Sequence, residues 1–91
     1  MYATERALEA NLSPGKVIQV INCETGGTWD PKIQSKAKYK NGKQEQSFGL
    51  AQIHLPAHPK ISYEQATDPY FAIDFLISSW KDGNQEWWTC Y

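Results

Sequence analysis

Cys23 and Cys90 are the only cysteines of a 91-residue chain, and the second is its penultimate residue. A bond between them closes most of the chain into one loop. It also fastens the C-terminus to whatever element carries Cys23. For a loop of this length the chain-entropy estimate is about 4 kcal/mol, by a mechanism that is model-dependent. That is a large contribution in a small domain, which buries only about two-thirds of its unfolded surface. Two buried thiols in a reducing compartment are the alternative. Zinc is disfavoured, because two isolated cysteines lack a second ligand pair at metal spacing. The expectation is a Cys23–Cys90 disulfide and an oxidising compartment.

The residue after Cys23 carries the chemistry. Val17, Val20, Ile21 and Glu24 follow the i, i+3, i+4, i+7 spacing of one helix face, and Thr25-Gly26-Gly27 comes directly after. The pattern puts a carboxyl group on the face that enters the core, near the helix C-terminus. Desolvation disfavours its charged form, and so does the negative end of the helix dipole. A carboxyl group that keeps its proton near neutral pH is suited to general acid catalysis. A snorkelling or salt-bridged glutamate at the helix edge is the alternative.

The overall balance excludes several classes. With 41% hydrophobic and 21% charged residues the chain reads as globular rather than disordered. A net charge of -1 gives no reason to expect nucleic acid or an anionic membrane surface. No run approaches the roughly 18 apolar residues of a membrane span. Met1-Tyr2-Ala3-Thr4-Glu5 has neither the basic start nor the apolar stretch of a signal peptide. The chain is unusual in its aromatics, with four Trp and five Tyr.

The expected organisation is a single domain over residues 1–91, mostly α, of compact short helices with at most a small β-hairpin. A first helix runs from about Ala3 to Asn11 with Ala7 and Leu8 inward. Ser13-Pro14 opens a second, and Gly26-Gly27 ends it. The following lysine-rich stretch holds the turn signals Asp30-Pro31 and Asn41-Gly42, the latter able to close a hairpin. Ser62 and Gln65 form a capping box. Asp68-Pro69 opens the longest helix, which Gly83 stops after Asp82; Ala72, Ile73, Leu76, Ile77 and Trp80 are its apolar face. Trp87 and Trp88 fall in a last turn, packed around the disulfide with one partly exposed.

A second motif is Ser47-Phe48-Gly49-Leu50-Ala51-Gln52-Ile53. Phe48, Leu50 and Ile53 anchor it in the core, and Gly49 allows a positive φ or close backbone approach. Ser47 and Gln52 need hydrogen-bond partners among these apolar neighbours. They are either satisfied within a buried turn or form the wall of a site.

Cys23-Glu24-Thr25-Gly26-Gly27-Thr28-Trp29 followed by Ser47-Phe48-Gly49-Leu50-Ala51-Gln52-Ile53 resembles the lysozyme-like superfamily, most closely the soluble lytic transglycosylase catalytic domain. The first motif together with Trp88-Thr89-Cys90 also resembles the resuscitation-promoting factor domain, in which a disulfide joins the two segments. The resemblance spans about residues 13 to 90. Thr25 stands for the usual Ser, Ala51 for the usual Met, and no Ala-Tyr-Asn motif is present.

The resemblance implies an α+β lysozyme-like fold and cleavage of the β-1,4 bond between N-acetylmuramic acid and N-acetylglucosamine in peptidoglycan. Glu24 is then the catalytic acid, and its carboxylate the base that draws a proton from the muramoyl C6 hydroxyl to give a 1,6-anhydro product. A hydrolase instead needs water and commonly a second carboxylate, for which Glu45 and Asp30 are the candidates. Ser47 is expected to hydrogen-bond Glu24. Gln52 is expected to face Glu24 or an acetamido group. Phe48 and Trp29 are candidate sugar-stacking rings, with Trp29 equally suited to the core, and Tyr39 is expected to border the groove. The lysines from Lys32 to Lys43 are either a solvated face or an attraction for anionic wall polymers. His54 and His58 are separated by Pro56 and make a poor metal pair. The expected setting is an extracytoplasmic monomer acting on glycan strands, with no metal, cofactor, nucleic acid or membrane insertion. A glycosidase of hydrolytic type and a non-catalytic glycan-binding module are the alternatives.

Overall fold

Helix starts follow the capping residues. In the computed structural model, which describes residues 1–91, Ser13 caps α2 (Pro14–Glu24). Its Oγ accepts from the Lys16 N–H at 3.3 Å, and Pro14 occupies the first turn, where no amide partner is needed. Ser62 and Gln65 complete a reciprocal capping box on the four-residue α3 (Tyr63–Ala66). Asp68 accepts from the Tyr70 and Phe71 amides and starts α4 (Pro69–Lys81). α1 (Tyr2–Glu9) precedes these, and 3-10 turns lie at Leu55–Ala57 and Gln85–Trp87.

The core is one cluster drawn from α1, α2 and α4, with α1 packed against both of the others. Val17, Val20 and Ile21 of α2 are fully buried, as are Ala72 and Leu76 of α4, with Ile73, Ile77 and Trp80 nearly so. α1 contributes Ala3 and Ala7, whose small side chains let the helix approach closely. Leu8 does not join them: it is 61% exposed. The reason is the rotation of α1. The Tyr2 hydroxyl donates to Asp74 at 2.8 Å and Arg6 Nε donates to Asp74 at 2.9 Å, and with Ala3 and Ala7 facing inward Leu8 is turned outward. The helix also stops at Glu9, short of Asn11, which takes a positive φ of 58°.

A two-stranded antiparallel sheet joins β1 (Ser47–Phe48) to β2 (Ile53–His54), with Ser47 opposite His54 and Phe48 opposite Ile53. Gly49 opens the connecting turn at φ +81°, and a Cβ there would lie 2.1 Å from the Ala66 carbonyl oxygen. No other residue fits that position. Upstream, Asn41-Gly42 forms its turn, with the Tyr39 N–H bonded to Lys43 O at 2.8 Å and an isolated bridge between Lys38 and Gln44.

The disulfide joins Cys23 to Cys90 with Cα atoms 6.0 Å apart. Beside it, buried Trp88 donates from Nε1 to Ala51 O at 2.7 Å, so the C-terminal segment is fixed both to the end of α2 and to the 49–52 turn. The architecture is the expected one: mostly α, with one small sheet, closed by this bond. No helix is long and apolar enough to cross a membrane.

Candidate active site

Glu24 is the last residue of α2, and the chain behind it is locked in place. Thr25 is fully buried; its Oγ1 donates to Ile21 O at 2.8 Å and accepts from the Trp29 N–H at 3.2 Å. Gly26 and Gly27 take φ of 63° and 84°, which lets the Gly27 N–H reach back to Asn22 O at 2.7 Å. Thr28 Oγ1 then donates to Thr25 O at 2.8 Å. The Thr25 hydroxyl is therefore a structural clamp that holds the helix end and aims its neighbour.

Glu24 lines a cleft of about 570 Å³, within the range of ligand sites. The end of α2, the segment Ile33–Ala37, Glu45, Ser47, Gln52, His54 and the C-terminal residues Trp87 and Thr89 form its walls. Glu24 is half-buried and accepts no hydrogen bond from the protein, and no salt bridge reaches it. The only arginine, Arg6, is engaged with Glu9 and Asp74. Burial raises the Glu24 pKa above the ordinary glutamate range, and the charge of Glu45 raises it further.

Beside Glu24 lies a polar cluster. Ser47 Oγ donates to Glu45 Oε1 at 2.8 Å and lies 3.0 Å from His54 Nδ1, with His54 Nδ1 3.9 Å from Glu45 Oε1. Ser47 has one hydroxyl proton. Given to Glu45, it leaves Ser47 Oγ as the acceptor of an Nδ1–H from His54. Ser47 thus meets Glu45 and His54, and the expected Ser47–Glu24 bond is not made. Its hydroxyl is drawn away because Glu45, two residues back along the chain, and His54, its partner across the sheet, are within reach.

The other expected residues divide. Glu45 and Gln52 line the cleft. Gln52 takes a positive φ of 48°, and its Nε2 donates to Gly49 O at 2.9 Å and Ile33 O at 3.2 Å, so its amide nitrogen braces the turn rather than reaching Glu24. Tyr39 does not line the cleft as expected; it packs against His54, ring centroids 6.0 Å apart, its hydroxyl accepting from the Gln46 N–H at 3.2 Å. Phe48, Trp29 and Asp30 lie outside the cleft. Phe48 packs edge-on against Tyr63 because alternation along β1 turns it away from Ser47. Trp29 packs against the core and donates from Nε1 to Asn22 at 3.2 Å. Asp30 Oδ1 accepts from the Lys32 N–H at 3.0 Å in an exposed turn, which leaves Glu45 as the second carboxylate of the cleft.

His54, Trp87 and Lys36 are cleft residues the sequence reading did not assign to the site. His54 had a signal: a four-residue turn between Ser47-Phe48 and Ile53-His54 sets it opposite Ser47. Trp87 follows from the disulfide, which carries the residues before Cys90 to the end of α2. Nothing in the sequence distinguishes Lys36 from its neighbouring lysines. No group of three or more His, Cys, Asp or Glu side chains is arranged to hold a metal.

No protein-family model matches the chain, and no curated protein or solved structure shows significant similarity to it.

Proposed function

We propose that the chain is an extracytoplasmic muralytic enzyme that cleaves the β-1,4 bond between N-acetylmuramic acid and N-acetylglucosamine, as a lytic transglycosylase with Glu24 as its acid and base. The observation that carries this reading is the setting of Glu24: a half-buried carboxyl at the wall of an open cleft, with no cationic or hydrogen-bonding partner, whose pKa is raised by burial and by the charge of Glu45. The motif resemblance to lytic transglycosylase and resuscitation-promoting factor domains supplies the substrate, and the disulfide agrees with an oxidising compartment.

In this reading the Glu24 carboxyl donates its proton to the glycosidic oxygen as the bond from C1 of the muramoyl unit to that oxygen breaks. The glucosamine-ended fragment leaves as an alcohol. Positive charge develops at C1, and the new carboxylate at Glu24 stabilises it at close range. The same carboxylate then takes the proton of the C6 hydroxyl, whose oxygen closes on C1. Glu24 regains its proton, the product carries a 1,6-anhydro ring, and no water is consumed.

A second reading has one observation in its favour. Glu45 lines the same cleft and its charge reaches Glu24, so a two-carboxylate hydrolase has its second group available. Mass analysis of digested sacculi separates the two. Muropeptides with anhydro ends support the transglycosylase; reducing muramoyl ends alone overturn it. A Glu24→Gln variant that clears sacculi as well as the wild type overturns both, and binding without clearing by either protein leaves a glycan-binding module.

A further inference from the structure

Ser47 and His54 are direct partners across the sheet, so their side chains leave it on the same face. Both line the cleft, while their neighbour Ile53 is turned into the core. The imidazole is held on two sides. Its Nδ1 lies 3.0 Å from Ser47 Oγ, and the Tyr39 ring packs against it with centroids 6.0 Å apart. Tyr39 is itself fixed, because its hydroxyl accepts from the Gln46 N–H at 3.2 Å.

The proton count assigns the tautomer. The single Ser47 proton goes to Glu45 at 2.8 Å, so Ser47 Oγ accepts from His54, and the neutral imidazole carries its proton on Nδ1. Nε2 is then a bare acceptor. No protein group bonds it, and the side chain is 36% exposed. A second proton therefore arrives at Nε2 without breaking the Glu45–Ser47–His54 chain, and it leaves a positive charge in the cleft. Histidine is the side chain whose ordinary charge change falls between about pH 5 and 8. The titratable groups around the ring are Glu45 and Tyr39, Lys36 and Glu24 on the cleft walls, and His58 in a small adjoining hollow. Glu45 is the only carboxylate within 4.0 Å of it.

We propose that His54 is a positioning residue that couples this cleft to pH: neutral, it holds Ser47 and through it Glu45, and charged at Nε2 it closes the acid end of the activity range. The inference rests on the glycosidase reading above and adds the regulation of that site. The imidazolium acts in two ways. It offsets the charge of Glu45, which contributes to the raised pKa of Glu24. It also opposes the positive charge that develops at C1 as the glycosidic bond breaks. Glu24 alone sets no such limit, because the protonated form that acts as the acid is the one that prevails at low pH.

The test sets pH profiles of sacculus clearing beside NMR titrations of the same proteins. His54→Asn places an amide N–H where the Nδ1 donor stands but cannot take a charge; His54→Leu has neither property. The wild type is expected to lose activity about tenfold per pH unit on the acid side, the slope of one proton. His54→Asn should lack that limb and hold a plateau about fivefold or more above that of His54→Leu, the worth of one hydrogen bond. An acid limb that survives in a folded His54→Asn protein belongs to another group, Glu45 first, and overturns the proposal. So does a wild type without an acid limb. Equal plateaus in the two variants also overturn it, because the Nδ1 bond then positions nothing. NMR reads the coupling without turnover. Nitrogen spectra should show Nδ1–H in neutral His54, and the Glu24 carboxyl carbon should show a second inflection as His54 charges, absent in His54→Asn. An Nε2–H tautomer, or a single inflection in the wild type, overturns the proposal. A wild type that clears no sacculi while both NMR results hold removes the glycosidase reading and leaves His54 as the pH-sensing group of the cleft. Clearing with an Nε2–H tautomer removes the coupling alone.

Discussion

The Ser47 hydroxyl is bonded to the Glu45 carboxylate at 2.8 Å, not to Glu24. That choice of partner organises the electrostatics of the cleft. Glu45 is held by the Ser47 hydroxyl and placed 3.9 Å from His54, while Glu24 is left without a donor that would favour its ionised form. Burial, and after it the charge of Glu45, raises the proton affinity of Glu24, as a general acid requires.

Glu45→Gln is expected to lower the pKa of Glu24, because it removes the charge that adds to the effect of burial. Burial is the larger cause and remains, so the fall is partial. A general acid must be protonated to act, and the alkaline limb of the pH–rate profile on sacculi should therefore move to lower pH. A limb that stays in place, or moves up, means that Glu45 does not act on Glu24 through its charge.

Glu24→Gln is expected to reduce turnover by about 10²- to 10⁴-fold, the usual contribution of a positioned acid. The same change should raise stability at neutral pH. Glu24 has a raised pKa in the folded state, so the native protein binds its proton more tightly than the unfolded chain does. Its contribution is fully present below the unfolded value of about 4.3, and is lost as pH rises through the folded value. Gln keeps the neutral form at every pH. Thermal unfolding should show a higher Tm for the variant at pH 7 and a gap that closes toward pH 3. A wild type that is the more stable protein at pH 7 contradicts the raised pKa.

Much of this fold is legible from local chemistry. Ser13, Ser62 and Asp68 mark helix starts because a side-chain oxygen at the N-cap is a short-range requirement, met within three residues. The face of α4 is readable for the same reason, since five apolar positions recur at helical spacing. Leu8 was not readable: its exposure is set by Tyr2 and Arg6 gripping Asp74, a contact 68 to 72 positions away. The site divides in the same manner. Glu24 is placed by its own helix, and its burial follows from periodicity. The partners of Ser47 depend on which side chains the sheet brings opposite each other. The part played by Trp87 depends on the disulfide carrying the C-terminus back to α2.

Gly49→Ala tests the turn that supports Gln52. The native φ of +81° already strains any L side chain, and the added methyl would lie 2.1 Å from Ala66 O and 3.1 Å from Pro31 O, both backbone atoms. Neither can yield without moving α3 or the segment before the cleft. A loss of about 3 kcal/mol or more in urea unfolding is expected, at the severe end for one substitution. A loss below about 1 kcal/mol shows that the turn relaxes and is no rigid support for the site.

Replacing Cys23 and Cys90 together with Ser is expected to cost about 4 kcal/mol, from the loop of 67 residues that the bond closes. The effect should reach the site as well. Trp87 and Thr89 belong to the cleft wall and adjoin Cys90, so their release opens that end of the groove. Sacculus clearing should fall even at temperatures where the Ser variant remains folded by circular dichroism. Full activity in a folded variant would show that the C-terminal wall is not needed for catalysis.

The lysines at 32, 36, 38, 40 and 43 form no ion pair, and Lys36 lines the cleft. Unpaired cations along one segment attract anionic polymer over a distance set by the Debye length, about 10 Å at 0.1 M salt. Binding of the Glu24→Gln protein to sacculi should weaken steadily as salt rises from about 0.02 to 0.5 M, a range over which that length falls several-fold. Lys36→Gln and Lys38→Gln together should flatten the dependence. The chain's net charge of -1 makes the experiment informative, because attraction to a negative wall must then come from this local patch and not from the molecule as a whole. Binding that is indifferent to salt assigns these lysines to solvation alone and leaves recognition to the walls of the cleft.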